Sequence, residues 1–157
     1  MLTYILIGLA VLLVVFLIAA ALRPDDLRQW PEISPYAKDD PRAKYTFAGP
    51  PAGVGSSVGW VGNAKVGTGR MTITDSRPNE LVRFKFEFFK PWYCTNTTDF
   101  IFRPAGSATE VTWAMFMKNN FIGKASGLVM NMDRLMGESF EAGLANLKSL
   151  AEAAARK

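Results

Sequence analysis

The nine residues LVRFKFEFF, at positions 81–89, alternate apolar and charged side chains along their length. A repeat of two residues sends the apolar side chains to one face of a β-strand and the charged side chains to the other. The apolar set is Val82, Phe84, Phe86 and Phe88, and the charged set is Arg83, Lys85 and Glu87. This pattern is typical of an antiparallel sheet that covers a core with one face and meets water with the other.

Five further segments carry strand patterns, which brings the predicted sheet to about six strands. They are KYTFAG (44–49), VGWVG (58–62), GRMTIT (69–74), TDFIFR (98–103) and EVTWAMFM (110–117). Turn-forming residues separate them: SRPNE (76–80) precedes the central stretch, KPWY (90–93) follows it, and RPAGSAT (103–109) supplies a hairpin turn before the last strand.

After the last strand the repeat of apolar residues changes from two to that of a helix. A long amphipathic C-terminal helix is predicted from the spacing of Met132, Met136, Phe140, Leu144, Leu147 and Ala151. A shorter helix is predicted over 122–130, where Gly123 and Gly127 would permit a close approach. A helix lying across the apolar face of an antiparallel sheet gives an α+β architecture.

The chain begins with an apolar run, Leu2 to Leu22, that contains no charged residue. At 1.5 Å per residue such a helix is roughly 31 Å long, which matches the hydrocarbon core of a bilayer. We therefore predict one membrane-spanning helix over residues 1–23. A cleaved secretory signal is the alternative, because Ala19 to Ala21 could form a small-residue cleavage site. Residues 24–43 are predicted to be a linker with short helical or loop structure, and 44–157 to be the folded domain.

Basic residues after the apolar run predict how the domain is oriented. Arg23, Arg28 and Lys38 follow the run, and the N-terminal side offers only the α-amino group. The positive-inside rule then places the domain in the cytoplasm of a single-pass membrane protein. A single cysteine, Cys94, excludes an internal disulfide and fits a reducing compartment.

Composition excludes several kinds of chemistry. The chain has no histidine and one cysteine, so no zinc site or histidine-based nucleophile is expected. The formal charge of +4 comes from scattered residues, which argues against nucleic acid as a partner and favours anionic lipid headgroups or a merely soluble surface.

Asp99, Glu110 and Asp133 are the carboxylates that could act as acid or base, but solvated positions are expected for them. Cys94 is predicted to be a buried or half-buried, unreactive side chain. We predict no catalytic residue, metal or cofactor.

Several motifs in order resemble the polyketide cyclase/dehydrase and lipid-transport family, which belongs to the START-like or SRPBCC superfamily. They are WPEISPY (30–36), KDDP (38–41), the block FAGPPAGVGSSVGWVGNAKVGTGRMTI (47–73), KFEFFKP (85–91), TEVTWAM (109–115) and MDRLMGESFEAGLANLKSLAE (132–152). The resemblance covers nearly all of the chain after Trp30. It implies a helix-grip fold, in which a curved antiparallel sheet grips the C-terminal helix and encloses an apolar cavity. Members bind lipids, sterols or other hydrophobic molecules, and a minority catalyse cyclisation or related reactions.

The chain departs from this family's pattern before Trp30. Only RPDDLRQ (23–29) separates the apolar run from the Trp-Pro segment, and at most roughly 3.5 Å per residue leaves no room for the family's first strand. In the family that strand pairs with the last one, so the edge from Glu110 to Met117 is predicted to be unpaired and open to a partner. The partner would be a second copy or a neighbouring membrane protein; the other explanation is a shortened gene product.

The predicted ligand-binding residues are the large apolar side chains of the sheet's inner face and of the facing helix. They are Trp60, Met71, Phe84, Phe86, Phe88, Phe100, Trp113, Met115, Met136 and Phe140. An ordinary core would use the same residue types, so a purely structural role is the competing interpretation. Thr98 and Asn96 are predicted to orient a polar headgroup. The sequence thus predicts a membrane-anchored protein that binds a lipid or another hydrophobic molecule. The alternatives are an enzyme acting on a polyketide-like or isoprenoid substrate, and an accessory subunit of a membrane complex.

Overall fold

The computed structural model of the protein describes residues 25–117 and 132–156, with side chains described for 25–116 and 137–156. Each strand pairs with its neighbours in sequence, so the sheet is an antiparallel meander in the order β1 to β6. The strands are β1 (Lys44–Ala48), β2 (Ser57–Val61), β3 (Thr68–Arg77), β4 (Leu81–Lys90), β5 (Cys94–Ala105) and β6 (Ala108–Met117).

Helical structure lies before and after the sheet. The one-turn helix α1 (Trp30–Ile33) is flanked by two 3₁₀ turns, Leu27–Gln29 and Pro35–Lys38. The long helix α2 (Met132–Ala155) is the C-terminal element. Its Asn146 side chain donates a hydrogen bond to the Ile33 carbonyl oxygen at 3.3 Å, which joins α2 to the α1 segment.

The six predicted strands, the C-terminal helix and the α+β class are confirmed. Strand β5 is longer than TDFIFR at its N-terminal end, because Cys94 to Thr97 continue the pairing with β4. The predicted membrane helix over 1–23 and the short helix over 122–130 lie outside the described residues. Within 25–117 and 132–156, no helix is both long enough and apolar enough to cross a bilayer.

The register of the strands divides the sheet into two chemically different faces. Met71 lies beside Phe86 and Ile73 beside Phe84, so the apolar residues of β3 and β4 share one face. We call this the inward face. An irregularity between Ile73 and Asp75 then brings Asp75 beside Arg83 on the opposite face, which we call the outer face. The alternation predicted from LVRFKFEFF is therefore present across the sheet.

Strand β6 ends the sheet. It pairs with β5 from Ala108 to Met117, and no other strand within the described residues pairs with it. In the part of the chain that the structure describes, its outer edge thus carries unpaired backbone groups, as the sequence predicted.

Candidate functional site

The inward face collects most of the residues predicted to bind a ligand. Trp60 from β2, Met71 from β3 and Phe84, Phe86 and Phe88 from β4 lie on it. Phe100 lies beside Trp113 on this face, and Met115 lies beside Thr98. Phe140 of α2 packs on this face, because its ring contacts the ring of Trp113. The side chain of Met136 lies outside the described residues.

Aromatic rings connect the sheet with the two helices. The rings of Trp113 and Phe140 are stacked, with centroids 4.7 Å apart and 8° between their planes. Trp30 lies edge-on to Phe86 at 5.8 Å and to Trp113 at 6.0 Å, and Phe100 lies edge-on to Trp113 at 4.8 Å. Such pairs contribute about 0.5–1.5 kcal/mol each beyond the area that they bury. Trp113 is therefore the centre of the contact between β6, α1 and α2.

Close packing at Trp113 and Trp60 depends on two glycines. A Cβ on Gly143 would overlap the Trp113 ring and would lie 3.3 Å from Cδ of Pro35. A Cβ on Gly69 would likewise overlap the Trp60 ring, which crosses β3 at this position. Both glycines thus let a large aromatic ring approach the backbone of a neighbouring element.

Burial separates the predicted residues into two groups. Met71 and Phe84 are 0 % and 1 % exposed and belong to the buried core cluster. Phe88, Trp113, Met115 and Phe140 are half-buried instead. These four are apolar residues that the described part of the chain leaves partly uncovered.

Polar groups interrupt the inward face of β5 and β6. Asn96 is 5 % exposed and Thr98 is fully buried, and the Thr98 hydroxyl donates to the Asn96 amide oxygen at 3.3 Å. This bond uses the Asn96 oxygen, and its amide nitrogen carries two further donors. The indole Nε1–H of Trp113 is buried and has no hydrogen-bond acceptor within the described residues. Both polar residues predicted to face the interior, Asn96 and Thr98, are therefore on the inward face.

Buried carboxylates lie on the outer face, which corrects one expectation. Asp99 is 3 % exposed, although a solvated position was predicted for it. It points away from the apolar side chains as expected, but Arg83 of β4 covers it with two hydrogen bonds, of 2.8 Å and 2.7 Å. Alternation along β5 reveals the face of Asp99, whereas its burial depends on the arginine beside it in β4. Glu110 is exposed as predicted, and the side chain of Asp133 lies outside the described residues.

Glu87 is the second buried carboxylate of the outer face, where the sequence pattern predicted contact with water. It is 8 % exposed and accepts hydrogen bonds from Lys85 Nζ at 2.9 Å and Arg70 Nη2 at 2.8 Å. These bonds hold the pKa of the Glu87 carboxyl below its ordinary value, and they outweigh the opposite effect of burial. A carboxylate held in its charged form in this way stabilises the sheet and is a poor proton donor.

Cys94 is exposed, although a buried or half-buried position was predicted. It is the first residue of β5, directly after the 90–93 turn, and Phe88 is its cross-strand neighbour. No element of the described chain covers this position. In residues 25–117 and 132–156, no cluster of three or more histidine, cysteine or carboxylate side chains could hold a metal ion.

Sequence reasoning missed the contribution of the segment before β1. Leu27, Trp30 and Ile33 are 3 %, 7 % and 7 % exposed and belong to the same core cluster as Phe84 and Met71. Their spacing of three residues is the signal that could have identified them, because it matches one face of a tight helical segment with three residues per turn. This segment therefore covers part of the inward face.

Comparison with known proteins supports the architecture alone. No protein-family model matches the chain, and no curated protein matches it in sequence. The solved structure of protein CV1439 from Chromobacterium violaceum is similar, with a TM-score of 0.52, 13% identity, and coverage of 87% of this chain and 88% of that one. The solution structure of the KanY protein gives a TM-score of 0.57 and 16% identity, with the same coverage of the two chains. Both likenesses are compatible with a helix-grip fold.

Proposed function

We propose that the protein binds a hydrophobic ligand between the inward face of its sheet and helix α2, as a START-like helix-grip protein would. The ligand is a lipid or similar molecule with at least one hydrogen-bond acceptor. In this proposal the apolar run at residues 2–22 anchors the domain beside the bilayer from which the ligand comes.

The buried polar groups of the inward face carry the proposal. Asn96 and Thr98 lie among apolar side chains, and the buried Trp113 N–H has no acceptor within the described residues. Leaving such a donor buried and unpaired costs about 1–3 kcal/mol, so a core that served only stability would gain from apolar residues of the same shape. A polar ligand atom near Trp113 would accept from this N–H, and Asn96, four residues from Phe100 along β5, offers a second polar contact farther along the same face.

The half-buried apolar side chains fit the hydrophobic part of such a ligand. Phe88 and Met115 lie on the inward face on either side of β5, where Asn96 and Thr98 are. A methionine adapts its shape to different apolar partners, and binding sites combine apolar walls with a few polar groups. Met115 and Asn96 together offer this combination.

The enzyme alternative would need an ionisable side chain facing the interior. The two buried carboxylates of the described residues, Asp99 and Glu87, instead lie on the outer face and are paired with arginine. Binding without catalysis is therefore the function that we favour.

Native mass spectrometry of the full chain released from mild detergent tests the proposal, because it detects a retained lipid and the oligomeric state together. Replacing Thr98 by Val keeps the side chain's shape and removes the hydroxyl that donates to the Asn96 amide oxygen and orients this amide, and Trp113→Phe removes the unpaired N–H. Each change should weaken ligand retention by roughly fivefold, the equivalent of one hydrogen bond of about 1 kcal/mol.

Thr97→Val is the matched control, because Thr97 lies on the outer face of the same strand beside Lys85. It should leave retention unchanged. A protein that retains no lipid, or a Thr98→Val variant that behaves like Thr97→Val, would contradict the proposal.

A second candidate function follows from the β6 edge. Ten residues of this strand, Ala108–Met117, have no strand on their outer side within the described residues. Exposed edges of this length favour pairing with another chain, so we also propose that a second copy or a membrane-protein partner adds a strand here. Hydrogen exchange on the intact assembly should show slow exchange at the outward amides between Val111 and Met117. Fast exchange at these amides in a monodisperse monomer would exclude the pairing.

A further inference from the structure

Two turns and a strand end lie together at one end of the sheet. Val61 of β2 lies beside Thr68 of β3, which lies beside Lys90 of β4. The β4–β5 turn is therefore next to the β2–β3 turn. At the same end β6 finishes, since Met117 lies beside Asn96 of β5. We call this region, which contains the turns 62–67 and 91–93, the 91–93 end.

Exposed apolar side chains are concentrated at the 91–93 end. It contains five of the eight large hydrophobic side chains that are exposed in the described residues. They are Trp92 at 79%, Tyr93 at 73%, Val61 at 58%, Phe116 at 56% and Phe89 at 42% exposure. The Phe89 and Tyr93 rings lie 6.4 Å apart, and the Arg70 guanidinium lies 6.0 Å from the Phe89 centroid. Trp92 and Tyr93 belong to the turn itself, so they project beyond the last paired residues of β4 and β5.

Positive charge surrounds these aromatic residues. Lys44, Lys65 and Lys90 are exposed, and none of them forms an ion pair within the described residues. Among the carboxylates nearby, Glu87 already accepts from Lys85 and Arg70. Asp40 accepts from the neutral Asn63 backbone N–H at 2.7 Å and keeps its negative charge, so it offsets one of the three lysines.

We propose that the 91–93 end docks on the surface of an anionic lipid bilayer. Tryptophan and tyrosine favour the headgroup region, where an apolar ring and a polar N–H or O–H are both accommodated. Unpaired lysines beside them are attracted to anionic headgroups, and each raises the equilibrium constant for docking by roughly fivefold. A protein partner would need an acidic, concave surface to receive a projecting turn, whereas a bilayer accepts it with no such match. The docking surface is distinct from the interior ligand site and does not depend on it. It lies at the opposite end of β2 from the loop whose Gly53 N–H donates to the Asp25 carbonyl oxygen, so an anchored domain would dock by lying along the bilayer.

The single cysteine gives a direct test, because Cys94 is exposed and adjoins Tyr93. A nitroxide attached to Cys94 of the full chain reports its surroundings through its accessibility to oxygen, which enters lipid, and to a nickel chelate, which stays in water. The chain is combined with vesicles of phosphatidylcholine, with or without phosphatidylglycerol. We expect the label to become accessible to oxygen and shielded from nickel when phosphatidylglycerol is present.

The matched control carries the label at the other end of the sheet. In a Cys94→Ser, Ser107→Cys variant, the label lies in the exposed β5–β6 turn, about 35 Å away along the twelve residues of β5. It should stay accessible to nickel with either lipid. A Cys94 label that stays in water with both lipids would overturn the proposal, and so would shielding that appears without vesicles when the protein is concentrated.

Substitutions separate the two contributions to docking. Lys65→Gln with Lys90→Gln should lower the equilibrium constant for docking on anionic lipid by roughly 25-fold, if each lysine contributes roughly fivefold. Arg77→Gln with Arg103→Gln removes the same charge from the opposite end and should leave docking unchanged. Trp92→Ser should weaken docking with both lipids. All five side chains are exposed, so circular dichroism should show an unaltered fold. Equal effects of the two double variants would refute a local contact with lipid.

Discussion

Helix α2 contains two glycines whose replacement by alanine should have opposite effects on stability. Glycine in a helix interior is about 1 kcal/mol less favourable than alanine, so each substitution gains this amount from the backbone. A Cβ on Gly137 would meet no atom of the described residues within 4 Å. Gly137→Ala should therefore raise the free energy of unfolding by about 1 kcal/mol.

At Gly143 the same methyl group has no room. Its Cβ would overlap Cζ3 of Trp113 and would lie 3.2 Å from Cη2 of that ring and 3.3 Å from Cδ of Pro35. Carbon atoms attract one another at about 3.5–4.0 Å, so either the indole or the helix must move. Overpacking of this kind costs about 1–3 kcal/mol, which offsets or exceeds the gain from the backbone. Gly143→Ala should leave the protein about 1–3 kcal/mol less stable than Gly137→Ala.

Urea unfolding of the full chain in mild detergent, followed by the helical circular dichroism signal, measures this difference. The two variants should differ in the midpoint and share the slope of the wild type. A Trp113→Leu background provides the control, because removing the indole should let Gly143→Ala become stabilising. Equal stabilisation by both alanines in the original background would show that α2 does not pack on Trp113 as described.

Substitutions on the charged outer face and in two turns should change the free energy of unfolding in three further ways. Hydrogen bonds from Lys85 and Arg70 lower the folded-state pKa of Glu87 below its ordinary value of 4.5, so its stabilising effect is present above that pH and is lost as the pH falls through the folded pKa. The stability difference between the wild type and Glu87→Gln should therefore shrink on acidification, and a difference independent of pH would contradict this. Arg83→Met should cost more than Asp99→Asn, because the methionine still covers part of the Asp99 carboxylate without pairing with it. Asp99→Asn should cost about 1 kcal/mol, because water still reaches the half-exposed guanidinium. Equal losses in urea unfolding would refute this asymmetry. Gly67→Ala should destabilise the protein, since Gly67 has φ +69° and its Cβ would overlap the Lys90 carbonyl oxygen. Gly106→Ala should cost less in the same assay, because Gly106 has φ +63° but its Cβ would meet no atom of the described chain within 4 Å.

Strand patterns predicted the sheet well because alternation is a local property of the chain. Val82, Phe84 and Phe86 face inward as their spacing indicates, and the long helix follows from the same kind of reasoning. The predicted ligand-binding residues of the sheet share the inward face for this reason.

Burial that depends on a neighbouring strand was not predictable in the same way. Asp99 is buried because the register places Arg83 beside it, and no property of β5 alone fixes that register. Trp30 was assigned to a linker, because the spacing of three in Leu27, Trp30 and Ile33 is a short pattern that does not by itself show which surface the segment covers. These residues became visible as core or ion-paired residues only once segments distant in sequence were brought together.

The proposed docking turn and the polar residues of the proposed ligand site are neighbouring parts of β5 and the turn before it. Asn96 lies four residues after Trp92, about 13 Å along an extended chain. If the 91–93 end docks on lipid, a ligand leaving the bilayer would reach Asn96 and Met115 by a short path. Transfer of a fluorescent lipid from vesicles to the protein should then be faster with phosphatidylglycerol and slower in Trp92→Ser, while ligand retention in detergent stays unchanged. Slower transfer in Thr98→Val together with normal docking would instead locate the defect in the interior. If Trp92→Ser does not slow lipid transfer although the Cys94 label docks normally in the wild type, docking of the 91–93 end is not required for ligand loading.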